Sequence, residues 1–424
     1  MRGPCLTYDR RRVYSQPHNN FVMTVLPWGD YRLSIGLREQ LWPVCEEDYM
    51  KRVILFSGGT ACRTINIALC RRKVHVTRIV PAWDSGGSSK RIRDELGILS
   101  VGDIRQALMT MAYGEGRAGD VVRVCNTRLS ANLGAEEARK EFLFYAQGRH
   151  PLLERMEPGL RGAILNYLET FASTVGNGFD FRNGSVGNFI LTGACIAHNG
   201  DVNTAIFVFR KLCDIDGNVW PSSLDSDLII SAVLNNGTRL SPQDAITKIA
   251  GENAQTGVRE IQLSRQAGSK ASPNPAALEA IDRADLIAFG PGSFYTSVLP
   301  HLLVDGLVPA VERARCPKVF VGNILQCGET LGLSLKDVVG TLADHWQRVG
   351  GSGRVPFQYV LANRVFFPFE KTVGVFPYLV DDLPESIEYE MVTAELEDAW
   401  NRGQHDGDLV ADRLMAIAQS GKEQ

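Results

Sequence analysis

The sequence predicts an α/β protein built on a Rossmann-like, doubly wound and mostly parallel sheet, with a helical insertion and a small antiparallel element. Three observations carry that prediction. Short apolar runs alternate with stretches of helical periodicity along most of the 424 residues, as expected of βαβ units. Several of those runs are apolar throughout rather than alternating, which marks strands covered on both faces. Glycine- and serine-rich turns stand where strand-like runs pass into helix-like runs: Ser57-Gly58-Gly59-Thr60, Asp84–Ser89, Ser185-Val186-Gly187-Asn188 and Gly290-Pro291-Gly292-Ser293. Such turns are expected to leave backbone N–H groups and a helix dipole aimed at one place, as proteins do to hold phosphate oxygens. Ligands of open α/β sheets sit beyond the carboxyl ends of the strands. Four such turns therefore predict a cleft for a diphosphate-containing ligand.

Taken in order, residues 1–49 stand apart, with dispersed Pro17, Pro27, Pro43, Trp28 and Trp42 and no sustained period. They read either as an N-terminal arm or as a start placed too far upstream, and residues 50–424 form the α/β domain. Val53–Phe56 is a buried strand and Thr60–Cys70 continues at helical spacing. Val74–Val80 is β-branched and strand-like. Ser100-Val101-Gly102-Asp103 has the spacing of a capping box and opens a helix through Met111. Residues 135–172 lack strand signals and predict the helical insertion, and Asn188–His198 and Val202–Leu212 predict two more helices. Residues 218–240 contain Val219-Trp220-Pro221, an apolar run and the hairpin signal Asn236-Gly237, which predicts the antiparallel piece. Ala284–Phe289, Pro317–Asn323 and Tyr359–Asn363 read as strands; Phe294–Leu303 and Ser334–Val349 read as helices.

Composition excludes several classes. At 44% hydrophobic and 22% charged residues, with a net charge of −3, the chain has an ordinary globular balance and lacks the basic excess of a nucleic-acid binder. Nine cysteines include no Cys-x-x-Cys pair, and seven histidines include no His-x-x-x-His pair, so neither a disulfide framework nor a zinc site is expected. The absence of a membrane-length apolar run and of a signal-peptide pattern predicts a cytoplasmic protein without a membrane partner. Oligomeric state is left open, a homo-oligomer included.

The strongest motif is Trp83-Asp84-Ser85-Gly86-Gly87-Ser88-Ser89-Lys90-Arg91-Ile92-Arg93. It sets a carboxylate at a strand end, then a flexible turn, then three cations. A carboxylate beside phosphates is the usual holder of Mg²⁺, so Asp84 is both the metal candidate and a catalytic candidate. Arg91 and Arg93 are catalytic candidates that would offset phosphoryl charge. The bland reading is a capped turn with solvated cations. Gly58, Gly59 and Thr60 form a second cradle, although such a turn is common without any ligand. Gly86, Gly87, Ser88 and Ser89 belong to the Asp84 loop. Asn188, following Gly187, could bond a base, ribose or phosphate, while Gly290, Gly292 and Ser293 with the aromatics after them suit a phosphate with an adjacent ring, and Asn323 is a weaker candidate. Asp103 and Arg105 are explained as well by capping and a surface ion pair. Neither Gly-x-Gly-x-x-Gly nor a P-loop follows these strands, which disfavours an NAD-dependent oxidoreductase.

In order and approximate spacing, these segments resemble the CofD-related family, which joins 2-phospho-L-lactate transferases and YvcK-type gluconeogenesis factors. The resemblance runs from about Val53 to Asn363. It rests on Gly58-Gly59-Thr60, Asp84 through Leu99, Gly102-Asp103-Ile104-Arg105, Ser185–Asn188, Gly290–Ser297 and Gly328-Glu329-Thr330. What it implies is a transferase moving a phospholactyl-type group from a nucleoside-diphosphate-linked donor to a hydroxyl acceptor with Mg²⁺. Its other branch implies a nucleotide-sugar-binding regulator without turnover. This chain departs from the YvcK-type pattern by carrying Asp84-Ser85 in place of paired acids, and Ile324-Leu325-Gln326-Cys327 before Gly328-Glu329-Thr330. It therefore reads as a divergent subgroup.

Overall fold

The computed structural model describes residues 50–112, 118–364, 376–380, 382–384 and 386–420; the expectation for residues 1–49 lies outside them. Apolar runs become the strands of a seven-stranded sheet: β1 Arg52–Phe56, β2 His75–Val80, β3 Asn218–Pro221, β7 Leu286–Phe289, β8 Lys318–Val321, β9 Tyr359–Asn363 and β10 Glu390–Ala394. Their order is β10-β9-β8-β7-β1-β2-β3, and every adjacent pair is parallel. The central β1 and β7 are buried almost throughout, which is why their sequences do not alternate. From β1 the chain winds one way to β2 and β3; from β7 it winds the other way to β8, β9 and β10. The direction reverses between β1 and β7, so the crevice of this sheet opens beyond Phe56 and Phe289.

A separate antiparallel sheet has the order β5-β4-β6, from β4 Leu228–Leu234, β5 Arg239–Leu240 and β6 Val258–Arg265. Asn236-Gly237 turns β4 into β5, with Gly237 at φ 86° and its N–H donating to the Leu234 carbonyl at 2.9 Å. Val219-Trp220-Pro221 does not belong to this piece. It forms β3, whose residues Asn218–Pro221 pair in parallel with Thr77–Val80 at the edge of the main sheet. There the missing N–H of Pro221 disrupts no inner ladder.

Helices α1 Arg63–Arg71, α2 Gly87–Leu96 and α3 Gly102–Met111 follow the first two strands. The next are α4 Gly119–Asn126, α5 Ala135–Ala146, α6 Pro151–Glu154, α7 Pro158–Thr174, α8 Val186–Ala197 and α9 Val202–Leu212. Residues 135–172 are thus helical, as the sequence predicts. Their packing centres on an aromatic cluster in which Phe142 stacks on Phe181 with ring centroids 4.4 Å apart and Phe171 on Phe189 at 4.8 Å. Such rings contribute large apolar areas with specific geometry. Helix α8 is buried from Val186 to Cys195. A Cβ at Gly193 would lie 1.9 Å from the Tyr167 carbonyl oxygen, so glycine there lets α7 and α8 touch backbone to backbone.

Two local expectations are corrected. Phe294–Leu303 is a π-helical turn, Phe294–Val298, followed by a 3₁₀ stretch, Leu299–Leu303; Pro300 offers no N–H to a regular ladder. The Ser100-x-x-Asp103 capping box does not form: Val101 is the N-cap, no side chain caps α3, and the buried Ser100 hydroxyl has no partner among the described residues. Sequence patterning assigns nothing beyond Asn363, where the structure adds β10 and a helix, Gly407–Ser420, packed on α1. Cys62, Cys70, Cys125, Cys195, Cys213, Cys316 and Cys327 are all free. No described helix is long and apolar enough to cross a membrane.

Candidate functional site

The turn after β1 is fixed from beneath by Arg78, a fully buried guanidinium on β2. Its Nη2 donates to the Ser57 hydroxyl at 2.8 Å and to the Gly58 carbonyl, and its Nη1 to the Gly59 carbonyl at 3.3 Å and the Thr110 hydroxyl at 2.9 Å. With the turn's carbonyls held inward, the Gly59 N–H faces the start of α3 and donates to Asp103 Oδ1 at 3.2 Å. A Cβ at Gly59 would lie 2.8 Å from the Asp103 Cα. Glycine is required there by close approach. The bond to Gly59, not a capping box, explains Asp103.

Asp84 follows the end of β2 and accepts the Gly86 N–H at 2.9 Å on Oδ1. Asp84 and Asp103 are both half-buried. Desolvation raises the Asp84 carboxyl above its ordinary range, against hydrogen bonds from Gly86 and the Ser89 hydroxyl, and the Asp244 charge adds to the rise. Asp103 is pushed up to about 7, first by desolvation and then by the Asp84 charge. The two acids thus share one electrostatic site. An ideal Cβ on Gly102 would lie 2.1 Å from Asp84 Oδ2 and 2.0 Å from Ser89 Oγ, which brings the loop and the start of α3 into direct contact. The Ser85 hydroxyl accepts the Asp244 N–H at 2.9 Å.

Opposite these acids stand two guanidiniums. Arg105 is 5% exposed and donates through Nε to Asn188 Oδ1 at 3.1 Å. Its pKa falls to about 10, through desolvation and then repulsion by Arg128. Arg128 donates to the Asn183 carbonyl at 2.8 Å, and its Nη1 lies 3.6 Å from where a Cβ on Gly87 would be. Arg128 beside Gly87, and Arg105 linked through Asn188 to Ser88, set two cations near the start of α2, an arrangement able to attract an anion.

Of the candidates, Asp84, Gly58, Gly59, Gly86, Gly87, Ser88, Ser89 and Asn188 come together around this site. Asn188 Nδ2 donates to the Ser88 hydroxyl at 3.0 Å, so the amide ties α8 to α2 while it holds Arg105. Gly187 packs on α4, where a Cβ would lie 2.3 Å from the Cys125 carbonyl oxygen. Arg91 and Arg93 have partners of their own, although Arg93 still feels the Asp84 charge. Arg91 pairs with Asp180 at 2.9 Å, and Arg93 donates to the Leu228 carbonyl. The expectation that the turns leave their amides free is corrected at four positions. Gly59, Gly86, Asn188 and Gly292 donate to Asp103, Asp84, Ser185 and Asn323 respectively, because enclosed N–H groups find partners within the fold.

Across the switch point, Gly290 adopts φ 83° and the turn after β7 is pinned by Asn323, which accepts the Gly292 N–H at 3.0 Å and donates to the Gly292 carbonyl at 2.9 Å. Thr60, Arg63, Gly292, Ser293, Asn323 and Gln404 are among the residues lining a cavity of about 450 Å³ here, within the size range of small-molecule pockets.

The family model for 2-phospho-L-lactate transferase CofD matches residues 53–387. The chain belongs to the CofD family. Among relatives, a protein of Halalkalibacterium halodurans named gluconeogenesis factor is 30% identical over 70% of this chain and 74% of its own length. A Bacillus subtilis protein of the same name is 28% identical over 69% and 74%. A Nostoc sp. relative is 28% identical over 74% of this chain but only 59% of its own length, so the chain spans about three fifths of that protein. A crystal structure of a Bacillus halodurans protein superposes with a TM-score of 0.61 and 25% identity, covering 86% of this chain and 99% of that one.

Within this CofD-family site, sequence reasoning missed Arg78 and Arg128 and underrated Asp103 and Arg105. Arg78 left a signal, a lone guanidinium inside the β-branched run Val74–Val80. A strand so apolar admits a cation only where buried acceptors await it. Arg128 left none, lying in a stretch without periodicity.

Proposed function

We propose that the protein is a CofD-type transferase that moves a phosphoester group, of the phospholactyl kind, from a nucleoside-diphosphate-linked donor to a hydroxyl acceptor. The observation that supports this reading most is the Asp84–Asp103 pair, two half-buried acids whose carboxyls are both raised, Asp103 partly by the Asp84 charge, beside Arg105 and Arg128 at the switch point of the sheet. In the reaction the acceptor oxygen bonds to the distal phosphorus, the bond from that phosphorus to the bridging oxygen breaks, and a nucleoside monophosphate leaves. Asp103 takes the hydroxyl proton, its basicity raised by Asp84. Arg105 and Arg128 hold the phosphate oxygens as charge shifts to the leaving group.

The donor set suits Mg²⁺. Two carboxylates offer hard oxygens, and among the described residues no cluster of three or more His, Cys, Asp or Glu could form an all-protein cage. Mg²⁺ ordinarily uses one or two carboxylates and completes its shell with water and substrate phosphates. Asp84, with Asp103 beside it, would hold the ion, which supplies charge neutralisation on the phosphates when bound. The test is incubation of the full chain with Mg²⁺, a panel of nucleoside-diphosphate-linked donors and hydroxyl acceptors, with products followed by mass spectrometry. Nucleoside monophosphate and a new phosphodiester are expected, and both should be lost in Asp84→Asn.

A second reading, a nucleotide-sugar-binding regulator without turnover, is favoured by two observations. The relatives above are named gluconeogenesis factors, and Ser85 is tied to the Asp244 backbone where the regulator pattern has an acid. Tight nucleotide binding with no product from any donor would decide for it.

A further inference from the structure

The segment after residue 387 lies outside the span that matches the family model, yet Gly403-Gln404-His405 walls the cavity of about 450 Å³ beside the β1 and β7 turns. This wall is preformed. Glu397 is 3% exposed, and its carboxylate accepts the Gly403 N–H at 2.6 Å, Arg402 Nε at 3.0 Å and the Tyr378 hydroxyl at 3.0 Å. Asn363 Oδ1 receives the Leu396 and Glu397 N–H groups at 2.8 and 3.1 Å. At the other end of the loop, His405 Nε2 lies 3.0 Å from the Gly322 carbonyl oxygen, and the Thr64 hydroxyl donates to the His405 carbonyl at 3.0 Å. Charge-assisted bonds to a buried carboxylate fix geometry as well as add energy, and specificity demands such support.

The lining has a definite chemistry. Pro291, Ile324 and Leu325 are apolar, and among the described residues no carboxylate lines the cavity. The Asn323 amide is taken on both sides by Gly292. Gln404 is exposed, and its side-chain amide has no partner among the described residues. The lining also carries the Arg63 guanidinium and the Thr60, Thr64 and Ser293 hydroxyl groups. The apolar faces with one free amide match a flat heteroaromatic ring whose edge offers an acceptor beside a donor, the cation and hydroxyls suiting its ribose and phosphate end. A glutamine amide satisfies such an edge with two hydrogen bonds.

We propose that the cavity takes the nucleobase of the bound nucleotide and that Gln404 is a specificity-determining residue reading its edge. The proposal rests on the nucleoside-diphosphate reading of the site given above. The diphosphate lies on the Asp84 side of the Ser57–Thr60 turn and the base on the Gln404 side.

The experiment is isothermal titration of the full chain with UDP, GDP, CDP, ADP and inorganic diphosphate in Mg²⁺. The wild type is expected to rank the four nucleotides over at least about tenfold, the worth of one to two hydrogen bonds. Gln404→Ala should compress that spread to within about threefold and leave diphosphate affinity unchanged. Gln404→Glu, which exchanges the donor for an acceptor at the same shape, should shift the ranking about tenfold towards the amino-edged bases of CDP and ADP. A wild-type ranking retained in both variants, or an equal loss for every ligand including diphosphate, overturns the inference and leaves the diphosphate site standing. Wild-type binding of diphosphate with no ranking of bases does the same. Failure of the wild type to bind any of the five overturns the site itself.

Discussion

Asp103 and Glu329 stand on opposite sides of the switch point, and both have carboxyl groups pushed up to about 7 with desolvation as the largest cause. Their surroundings differ. Glu329 is 3% exposed and accepts the Tyr295 N–H at 3.0 Å and the Thr296 hydroxyl at 2.6 Å. Those bonds hold the turn after β7, and no second acid contributes to its shift. Asp103 is half-buried, and Asp84 contributes to its rise. A raised carboxyl therefore does not by itself mark a functional group. A second charge and access to the crevice are what distinguish Asp103, the proposed reacting acid, from Glu329, which braces a turn.

The sharpest way to break the comparison is to neutralise each acid. On the proposed transferase reading, Asp103→Asn should lower transfer by about 10²–10⁴-fold, the usual weight of a positioned base, while the melting temperature holds or rises as repulsion of Asp84 is relieved. Glu329→Gln should leave transfer nearly intact. If it abolishes transfer at an unchanged melting temperature, the distinction drawn here fails.

Stability against pH tests the bracing acid directly. The folded pKa of Glu329, about 7, lies above its ordinary value of 4.5. Between those values the folded chain holds a proton that the unfolded chain has released, so this residue's contribution to stability is greatest below pH 4.5 and falls as pH rises towards 7. By linkage the fall approaches about 3 kcal/mol. Denaturant melts at pH 5 and pH 8 should show Glu329→Gln flattening that slope; an unchanged slope would mean that the carboxyl titrates normally.

Smaller effects probe the turns themselves. Gly59→Ala should destabilise by about 1–3 kcal/mol, because its Cβ meets the Asp103 backbone, which no rotamer change can clear. Asn323→Ala, across the switch point, strands the Gly292 N–H and carbonyl and should cost about 1–2 kcal/mol. Urea melts rank the two, and the order would reverse if the β7 turn were the more tightly constrained.

Much of this was legible in residues. Val53–Phe56 and Ala284–Phe289 could only be buried strands, and their glycine turns announced the crevice. The role of Asp103 was not legible, because Ser100-x-x-Asp103 satisfies a local capping rule equally well. Its partner Gly59 is forty-four positions away. Arg91 and Arg93 looked catalytic by proximity to Asp84 in the chain, but helical geometry turns them towards Asp180 and Leu228. The Gln404 wall left no signal, since its support comes from Glu397, Asn363 and Tyr378 on separate segments.

The sequence alone determined the α/β class, the parallel strands and the positions of the turns, because burial on both faces and the conformational freedom of glycine are written locally. Only the tertiary structure decided which acid faces which cation and which amides are already taken. Those pairings depend on strands and helices distant in the chain being brought within hydrogen-bond reach, and desolvation, which sets the charges of the site, exists only once they have packed.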